Sequence, residues 1–365
     1  MKKLLMYINS MNALGGIERV ISNISDKLSD YYEITILVKD RPISAYPINS
    51  RITIDTLNCE LKMDMNSRVK RIISVLINML KSWHALRRYL HKHEFDYVYT
   101  AIPVNGFEMY LANKDYRRRI VASEHASYYA YNSIYKKIKE WLYPRLSAIA
   151  VPTTMDTEIY QKQGYNAFYI PHLTTYQSTS NNSLKSKRII NVGRLTSDKQ
   201  QSMLLDIWDN VNFRLPEHGW TLQIIGSGEE ENNLKKKIRE HNIKNVQLLP
   251  HTSNIAEYYR NAELFAFTSK MEGFGMVLLE AMSYGVPCIS FDCPSGPRDM
   301  IIDGENGYLI DCYDVDLYTT RICEYINLSD AKKRALSNRA LKTIEQWDND
   351  RIIQKWIELF ENCLD

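Results

Sequence analysis

Short apolar runs rich in β-branched and aromatic residues alternate along the chain with longer segments of helical periodicity. This alternation is typical of parallel sheets covered by helices on both faces. Strands are predicted at 3–8, 34–38, 52–57, 97–100, 120–123, 148–152, 168–170, 188–192, 222–225, 246–249, 264–268 and 288–291. The predicted fold class is therefore α/β, with doubly wound, Rossmann-like domains.

Residues 174–183 are rich in Ser, Thr and Asn and lack an apolar period, so they are predicted to be a linker. The chain of 365 residues is about twice the usual domain length, which favours one domain at 1–173 and a second at 184–349. We expect the two domains to face each other across a cleft at the carboxyl ends of both sheets, where ligands of such folds bind. The pattern in 350–365 predicts a helix with one apolar face.

Composition narrows the cellular setting. The six scattered cysteines form no Cys-x-x-Cys pair and no metal-spaced set with histidine, which predicts reduced thiols in a cytoplasmic protein and no metal site. The first apolar run is too short for a signal peptide, and no segment approaches the roughly 20 apolar residues of a membrane-spanning helix. Residues 1–183 hold 24 Lys and Arg against 16 Asp and Glu, so we expect the first half to face something anionic.

The segment from 269 to 287 contains two acids around a glycine-rich turn that opens an apolar helix. Gly273 and Gly275 would expose backbone N–H groups at the positive end of the helix dipole, where a phosphate can approach. Glu280 is expected roughly 6 Å beyond Met276, at the reach of a ribose. Glu272 would face whatever is attached beyond the phosphates. The alternative is an ordinary helix that happens to carry two acids.

This segment resembles the Glu-x7-Glu signature of retaining glycosyltransferase family 4, which includes sucrose synthase and bacterial mannosyl- and N-acetylgalactosaminyltransferases. The resemblance implies the two-domain GT-B fold, with the helix at 350–365 packing back on the first domain. It also implies that Glu272 orients the transferred sugar. Donor-binding roles are implied for Gly273, Phe274, Gly275, Met276 and Glu280.

Two further loops carry the same resemblance. Arg194 and Lys199 share one loop, where a guanidinium and an ammonium can clamp a diphosphate; a solvated loop is the alternative. They match the family's Gly-Arg-x4-Lys element, which implies that they hold the donor phosphates. Gly15 and Gly16 lie where a strand turns into a helix, and with the following Glu and Arg they resemble the family's first glycine loop.

Gly226 and Gly228 form a Gly-x-Gly turn after a strand, but the third glycine of a dinucleotide fingerprint is missing. The resemblance implies that this turn lines the nucleotide pocket. His125 ends a strand, where a histidine is more often structural than catalytic. Its Ser-Glu-His context resembles bacterial relatives that extend lipid-linked oligosaccharides, and this implies that His125 reaches the transferred sugar.

Two basic, amphipathic segments lie at 66–93 and 128–146. They are suited to an anionic membrane surface or to a pyrophosphate-linked lipid. The equally good alternative is that their apolar faces pack on the sheet and only the charges are exposed. The sequence therefore predicts, at most, a peripheral membrane contact.

The resemblance covers essentially the whole chain. It implies a retaining, metal-independent glycosyltransferase that uses a UDP-hexose or UDP-N-acetylhexosamine as co-substrate and needs no other cofactor. The expected acceptor is a lipid-linked or polysaccharide chain of a capsule, exopolysaccharide or O-antigen. Alternatives are a GDP-sugar-dependent transferase, a sugar-nucleotide epimerase of GT-B architecture and a non-catalytic nucleotide-sugar sensor. The basic residues form no recognised nucleic-acid-binding module, so no nucleic-acid partner is expected.

Overall fold

The computed structural model describes residues 1–59, 68–174, 182 and 184–362, with the side chains at 68–73, 75 and 76 outside that description. The chain divides into two compact units. The first consists of Met1–Leu173 with Asn349–Asp365, and the second is Thr174–Asp348. Most of the predicted linker at 174–183, the start of the amphipathic segment at 66–93 and the end of the helix predicted at 350–365 lie outside the described residues.

The described strands are β1 Lys2–Tyr7, β2 Tyr32–Val38, β3 Thr53–Thr56, β4 Tyr97–Thr100, β5 Ile120–Ser123, β6 Ala148–Val151, β7 Ala167–Tyr169, β8 Arg188–Val192, β9 Thr221–Ile225, β10 Val246–Leu249, β11 Leu264–Phe267, β12 Cys288–Phe291 and β13 Gly307–Ile310. The described helices are α1 Gly16–Leu28, α2 Arg68–Leu90, α3 Pro103–Ala112, α4 Ser133–Leu142, α5 Thr154–Lys162, α6 Gln201–Arg214, α7 Glu231–Glu240, α8 Ile255–Arg260, α9 Met276–Ser283, α10 Pro297–Met300, α11 Val315–Ile326, α12 Asp330–Ile344 and α13 Asn349–Asn362.

In the described part of the first unit, the strands form one parallel sheet in the order β3-β2-β1-β4-β5-β6-β7. Strands β2 and β3 follow β1 on one side of the sheet, and β5, β6 and β7 follow β4 on the other. The strand order therefore reverses between β1 and β4, which is the switch point of this sheet. Leu4, Leu5, Met6 and Tyr7 are all fully buried. A parallel strand covered by helices on both faces requires such a continuous apolar run.

The second unit repeats this plan with its own sheet. Its described strands are parallel and follow the order β10-β9-β8-β11-β12-β13, so the switch point lies between β8 and β11. The core of this unit includes Ile189, Ile224 and Phe291, one from each of three strands. The predicted α/β class with two doubly wound parallel domains is confirmed.

The last helix, α13, packs on the first unit through aromatic side chains. The ring of Phe360 lies 5.9 Å from that of Tyr32 and 5.5 Å from that of Tyr97, measured between ring centroids. The ring of Trp356 lies 5.5 Å from that of Tyr99. The carboxyl-terminal helix is therefore part of the first unit, although it follows the second unit in sequence.

The strand β13 is absent from the sequence prediction, while the other strands lie within two residues of their predicted bounds. Gly307–Ile310 is short, starts with a glycine and lies at the edge of its sheet, features that weaken a strand prediction. No helix in the described ranges combines the length and the apolar character needed to cross a membrane.

Candidate active site

The candidate site of the second unit begins at the switch point of its sheet. β8 and β11 are neighbours and run parallel, so the loops that follow them, 193–200 and 268–275, leave the same edge of the sheet side by side. These two loops carry Arg194, Lys199 and Glu272, and Glu280 lies on the helix α9 that follows the second loop. In doubly wound folds, a crevice for ligands opens at this position.

Hydrogen bonds tie the main chains of these two loops together. The buried hydroxyl of Thr268 donates to the carbonyl oxygens of Lys199 at 3.1 Å and Gln200 at 3.3 Å. The backbone N–H of Lys270 donates to the carbonyl oxygen of Asp198 at 2.8 Å. The two loops are therefore fixed to each other before any ligand binds.

This attachment brings Lys199 and Glu272 into direct contact. The Nζ atom of Lys199 forms an ion pair with Oε1 of Glu272, and the two side chains are only 24% and 11% exposed. Partial burial shields this pair from solvent and makes it stronger than an exposed surface pair. Separate tasks were predicted for these residues, with phosphates for the lysine and sugar for the glutamate, whereas the pair itself was not predicted.

The helix α9 starts at the glycine-rich turn. Gly275 is its N-cap and has a φ of 89°, a left-handed conformation that glycine adopts without strain. The first turn of α9 contains no acidic residue, so the positive end of the helix dipole is not neutralised by its own side chains. Met276 begins the helix, Gly273 is half-buried before it, and Phe274 is buried between them.

Glu280 lies one turn into α9 and is 4% exposed. Its Oε2 atom accepts a hydrogen bond of 3.0 Å from the hydroxyl of Tyr259, which is fully buried. The phenol therefore fixes this carboxylate, and Tyr259 is a residue of the site that the sequence did not reveal. Tyr259 lies on α8, 21 positions before Glu280 and outside the glutamate motif.

A second missed feature is the loop that follows β12, Cys293-Pro294-Ser295-Gly296. The backbone N–H of Glu272 donates to the carbonyl oxygen of Pro294 at 3.2 Å. Gly296 has a φ of 104°, and a Cβ at this position would lie 2.0 Å from the carbonyl oxygen of Phe274. Only glycine allows such close backbone packing. The Pro-Ser-Gly-Pro sequence after a strand was the available signal for this supporting turn.

Gly226 and Gly228 pack against the loop that carries Arg194. The backbone N–H of Leu195 donates to the carbonyl oxygen of Ser227 at 2.9 Å. A Cβ at Gly226 would lie 1.9 Å from the carbonyl oxygen of Gly193, and one at Gly228 would lie 2.2 Å from that of Leu195. The turn therefore sets the path of this loop, on which the Arg194 side chain is exposed.

In the first unit, Gly15 is the N-cap of α1, and Gly16 is its first residue. A Cβ on Gly15 would lie 2.1 Å from Oε2 of Glu18, whereas one on Gly16 would meet no atom within 4 Å among the described residues. Glu18 is the third residue of α1, where a carboxylate can reach back to the N-cap backbone. The space beside Gly16 is therefore open, whereas the side chain of Glu18 fills the space beside Gly15.

His125 follows β5 at the carboxyl edge of the first sheet and is partly buried. Its Nε2 atom lies 2.9 Å from the hydroxyl oxygen of Tyr99, and its ring stacks on that of His172 with the centroids 5.3 Å apart. Burial lowers the pKa of His125 to about 3, so this imidazole is neutral at physiological pH. Neither Tyr99 nor His172 was identified from the sequence.

The preceding residue, Glu124, is a structural anchor. Its carboxylate pairs with Nζ of Lys139 at 3.2 Å and accepts hydrogen bonds from the hydroxyls of Tyr131, at 2.8 Å, and Tyr143. Glu124 is 1% exposed, so the lysine compensates a charge that is otherwise costly to bury. This network joins β5 to α4 and holds the backbone next to His125.

Within the described ranges, no group of three or more His, Cys, Asp or Glu side chains is arranged to hold a metal ion. The cations of the second unit and the helix start of α9 provide the positive charge at the candidate site. Catalysis without a metal stays a prediction.

Two family models match the chain. Residues 14–172 match Glycosyltransferase Family 4, and residues 174–343 match Glycosyl transferases group 1. The two matched segments together span most of the chain and meet between the two units. The chain therefore belongs to a family of glycosyltransferases.

Relatives and solved structures agree with this assignment. The amylovoran biosynthesis glycosyltransferase AmsD of Erwinia amylovora is 26% identical, over 98% of this chain and 99% of that protein. A diNAcBac-PP-undecaprenol-directed alpha-1,4-N-acetyl-D-galactosaminyltransferase of Campylobacter jejuni is 23% identical, over 98% of both chains. A crystal structure of a mutant of S. aureus TarM with fondaparinux, alpha-GlcNAc-glycerol and UDP has a TM-score of 0.80 at 16% identity, over 99% of this chain and 100% of that one. The predicted GT-B fold is confirmed.

The packing of Gly226 leads to a prediction on stability. We expect Gly226→Ala to destabilise the second unit by about 1–3 kcal/mol, because the new methyl group meets the backbone of Gly193 and must displace the loop that carries Arg194. Gly193→Ala is the matched control, since its Cβ would meet no described atom within 4 Å. Denaturant unfolding followed by circular dichroism measures both. Equal stability of the two variants would contradict the packing argument.

Proposed function

We propose that this protein is a retaining glycosyltransferase that moves a hexose or an N-acetylhexosamine from a UDP-sugar to a lipid-linked or polysaccharide acceptor. The observation that carries the proposal is the contact between Lys199 and Glu272 beside the open helix start of α9. It joins a cation suited to a diphosphate and a carboxylate suited to sugar hydroxyls at the switch point of one sheet.

The relatives support the chemical class of both substrates. AmsD is named for the biosynthesis of amylovoran, and the Campylobacter jejuni relative is named for a saccharide linked to undecaprenol through a diphosphate. The TarM structure contains UDP. A UDP-sugar donor and a growing cell-surface glycan as acceptor therefore fit this chain better than the alternatives.

The proposed donor site consists of two cations, a buried carboxylate and the start of α9. Arg194 and Lys199 hold the diphosphate, which also accepts hydrogen bonds from the backbone N–H groups at the start of α9. Glu280, held by Tyr259, takes the ribose hydroxyls. The ammonium of Lys199 has three N–H donors, so it can bind the diphosphate while one donor remains on Glu272.

In the proposed reaction, the acceptor hydroxyl attacks the sugar from the face that the nucleotide leaves, and a donor phosphate oxygen takes its proton. Arg194 and Lys199 stabilise the negative charge that develops on the leaving nucleoside diphosphate. Glu272 orients the sugar through its hydroxyls, while a catalytic role of His125 stays a prediction. The proposed reaction requires no metal ion, because the two cations and the helix start provide the positive charge.

Two other functions remain as alternatives. A sugar-nucleotide epimerase would bind the same donor and convert it without an acceptor. A non-catalytic sensor would bind the donor and leave it unchanged, but the pairing of Lys199 with Glu272 favours an active site. Incubation of the protein with the donor alone identifies an epimerase, because only an epimerase changes the sugar and keeps the nucleotide attached; transfer to an added acceptor separates a transferase from a sensor.

The donor is tested by a thermal-shift panel of UDP, GDP, ADP and their common sugars. A ligand that binds only the folded state adds RT ln(1 + [L]/Kd) to stability, which is about 2.7 kcal/mol at a hundredfold excess over Kd. We expect a shift with UDP and a larger one with a single UDP-sugar. A shift with GDP alone would select the GDP-sugar alternative. No shift with any nucleotide would refute the proposed function.

Glu272 and Lys199 are expected to differ in what they contribute. Glu272→Ala should reduce transfer on the order of a thousandfold, about 4 kcal/mol in barrier, with UDP affinity nearly unchanged. Lys199→Ala should weaken UDP binding by at least about tenfold, since a charge-assisted hydrogen bond contributes about 1.5–3 kcal/mol. Calorimetric titration with UDP and a radiolabelled transfer assay measure the two effects.

The matched control for these variants is Lys235→Ala on α7. Lys235 also pairs with a glutamate, Glu231, at 2.6 Å, but both of these side chains are well exposed. Exposed pairs of this kind contribute little, so transfer and UDP affinity should stay as in the wild type. Loss of UDP binding in Glu272→Ala would contradict the role proposed for this glutamate.

We also propose that the protein docks on an anionic membrane through α4. Ile134 is 67% exposed and Trp141 is 38% exposed on this helix, next to the exposed Lys136 and Lys137. The guanidinium of Arg145 lies 4.6 Å from the ring of Trp141. Apolar and basic side chains together are typical of helices that bind a membrane interface. The buried Leu142 shows that the other side of α4 packs on its own unit.

Flotation with vesicles that contain an anionic phospholipid tests this docking. Each basic residue near such a surface contributes about 1 kcal/mol, so replacing both Lys136 and Lys137 by glutamate should weaken binding by at least about tenfold. Binding should also fall as salt is added. The control is the same double change at Lys235 and Lys236, which are exposed on α7 of the second unit. Binding that is unchanged both by added salt and by the α4 substitutions would refute the docking.

A further inference from the structure

Two cysteines of the second unit follow neighbouring strands in register. The parallel pairing of β12 with β13 ends with Phe291 opposite Ile310. The next ladder hydrogen bond, from the backbone N–H of Asp292 to the carbonyl oxygen of Ile310, is 2.6 Å long, so the pairing continues past the ends of the strands. The same register places Cys293 opposite Cys312.

The position of the Cys312 sulfur supports this pairing. Its thiol donates to the carbonyl oxygen of Asp292 at 3.1 Å, and Asp292 is the residue directly before Cys293. Neighbouring strands lie about 4.8 Å apart. The Cα atoms of a disulfide usually lie about 4.4–6.8 Å apart, so cysteines at such adjacent positions can form a bond after a local adjustment. Both thiols are free in this structure.

The two thiols differ in their access to solvent. Cys312 is exposed, whereas Cys293 is only 1% exposed. An oxidant in solution therefore reaches Cys312 first, and Cys293 can react only with a neighbour inside the protein. An accessible thiol beside a second cysteine that completes the reaction is the arrangement of many redox-sensitive pairs.

The segment that follows Cys293 supports the candidate donor site. The carbonyl oxygen of Pro294 accepts a hydrogen bond of 3.2 Å from the backbone N–H of Glu272, and Gly296 packs on the backbone of Phe274. A displacement of Cys293 moves Pro294, because the two are neighbours in the chain. The redox state of the cysteines can therefore affect the acid to which the proposed function assigns the sugar.

Both cysteines precede strained backbone. Tyr313, directly after Cys312, has a φ of 67°, and Ser295, two residues after Cys293, has a φ of 69°. Residues other than glycine rarely adopt this left-handed conformation, and those that do are often found where a protein changes conformation. Strain in both segments lowers the cost of moving them, since a displacement can release it.

We propose that Cys293 and Cys312 are a covalent modification site, at which an oxidant forms a reversible disulfide, and that this bond lowers sugar transfer by displacing the support of Glu272. The effect on transfer rests on the proposed function. The formation of the disulfide is inferred from the strand register and does not depend on that function.

With hydrogen peroxide as the oxidant, two thiols and one peroxide give one disulfide and two waters. The thiolate of Cys312 attacks one peroxide oxygen, which breaks the O–O bond and yields a sulfenic acid. The other oxygen leaves as hydroxide and takes up the proton that the thiol has lost. The thiolate of Cys293 then attacks the sulfenic sulfur, forms the S–S bond and releases a second hydroxide, which is protonated to water. Excess dithiol reverses the bond by thiol–disulfide exchange.

The surroundings of the thiols make this oxidation slow but do not prevent it. Burial and the carboxylate of Asp292 raise the pKa of Cys312, whereas the guanidinium of Arg298 lowers it. Burial also raises the pKa of Cys293. Fewer thiolates are then present at neutral pH, but each is a better nucleophile, by roughly threefold for every tenfold loss in their number. We therefore expect the pair to respond to sustained exposure to oxidant.

Peptide mapping of the full-length protein tests the bond directly. Reduced, dilute protein is incubated with hydrogen peroxide, its remaining thiols are blocked with N-ethylmaleimide, and it is cut with trypsin. Trypsin cuts after Lys and Arg, so it releases residues 271–298 and 299–321 as one peptide each. We expect these peptides to be linked, and fragmentation to place the bond at Cys293 rather than Cys288. Peptides that stay separate, or a bond at Cys288, would overturn the inference.

Serine variants identify the thiols and test the effect on transfer. Cys312→Ser and Cys293→Ser should each abolish the linked peptide, whereas Cys323→Ser on α11 is the matched control and should keep it. In the cross-linked wild type we expect kcat to fall at least about tenfold, since small misplacements in a site can cost up to about a hundredfold. UDP affinity should stay within about threefold. Dithiothreitol should restore transfer.

The variant Cys312→Ser should transfer sugar equally well with and without peroxide, because its exposed position lies outside the donor site. An equal loss of transfer in this variant would show that peroxide acts elsewhere and would overturn the regulatory role. Full activity of the cross-linked wild type would overturn it as well.

Hydrogen exchange separates failure of the inference from failure of the proposed function. The amide of Glu272 is held by Pro294, so it should exchange at least about tenfold faster in the cross-linked protein, whether or not the protein transfers sugar. Unchanged exchange would overturn the coupling to Glu272. If no nucleotide binds in the thermal-shift panel, the proposed function is wrong, while the linked peptide and the exchange still test the disulfide. If the wild type transfers sugar but forms no linked peptide, the inference alone is wrong.

Discussion

The candidate donor site depends on the parallel pairing of β8 with β11 at the switch point of the second sheet. The loops that follow these strands leave the same sheet edge side by side, at the position where doubly wound folds bind ligands. Close backbone packing then fixes their shape. Gly226 packs on the first loop, Gly296 packs on the second, and Thr268 joins the two. Main-chain contacts therefore fix the shape of the site, and the side-chain motif in the sequence only indicates where it lies.

The charges at this site are placed so that one cation serves two partners. Lys199 is paired with Glu272, so the carboxylate compensates the positive charge of the ammonium. In the proposed function, a diphosphate that enters beside it brings a stronger negative charge to the same ammonium and draws on donors that the carboxylate does not use. In that proposal the pair also holds Glu272 toward the sugar, next to the phosphates.

Much of this fold was predictable because most central strands carry apolar runs between helical segments. Strand β13 was missed although it is largely buried, because Gly307–Ile310 has only four residues, begins with a glycine and lies at an edge. Single loops of the site, such as the one with Lys199, were predictable from local spacing. The contacts of His125 with Tyr99 and His172 were not, because they join positions far apart in sequence that only the strand order brings together.

Two acids that look equivalent in the sequence have different environments in the structure. Glu280 is fixed on a helix, 4% exposed, with one oxygen held by the phenol of Tyr259. Glu272 is on a loop, where its carboxylate pairs with the ammonium of Lys199 and its backbone N–H donates to the carbonyl oxygen of Pro294. A rigid, buried carboxylate suits a part of the donor that stays in place, whereas a carboxylate paired with an exchangeable cation suits the sugar, which departs. The different surroundings of the two acids support the separate roles proposed for them, ribose binding for Glu280 and sugar orientation for Glu272.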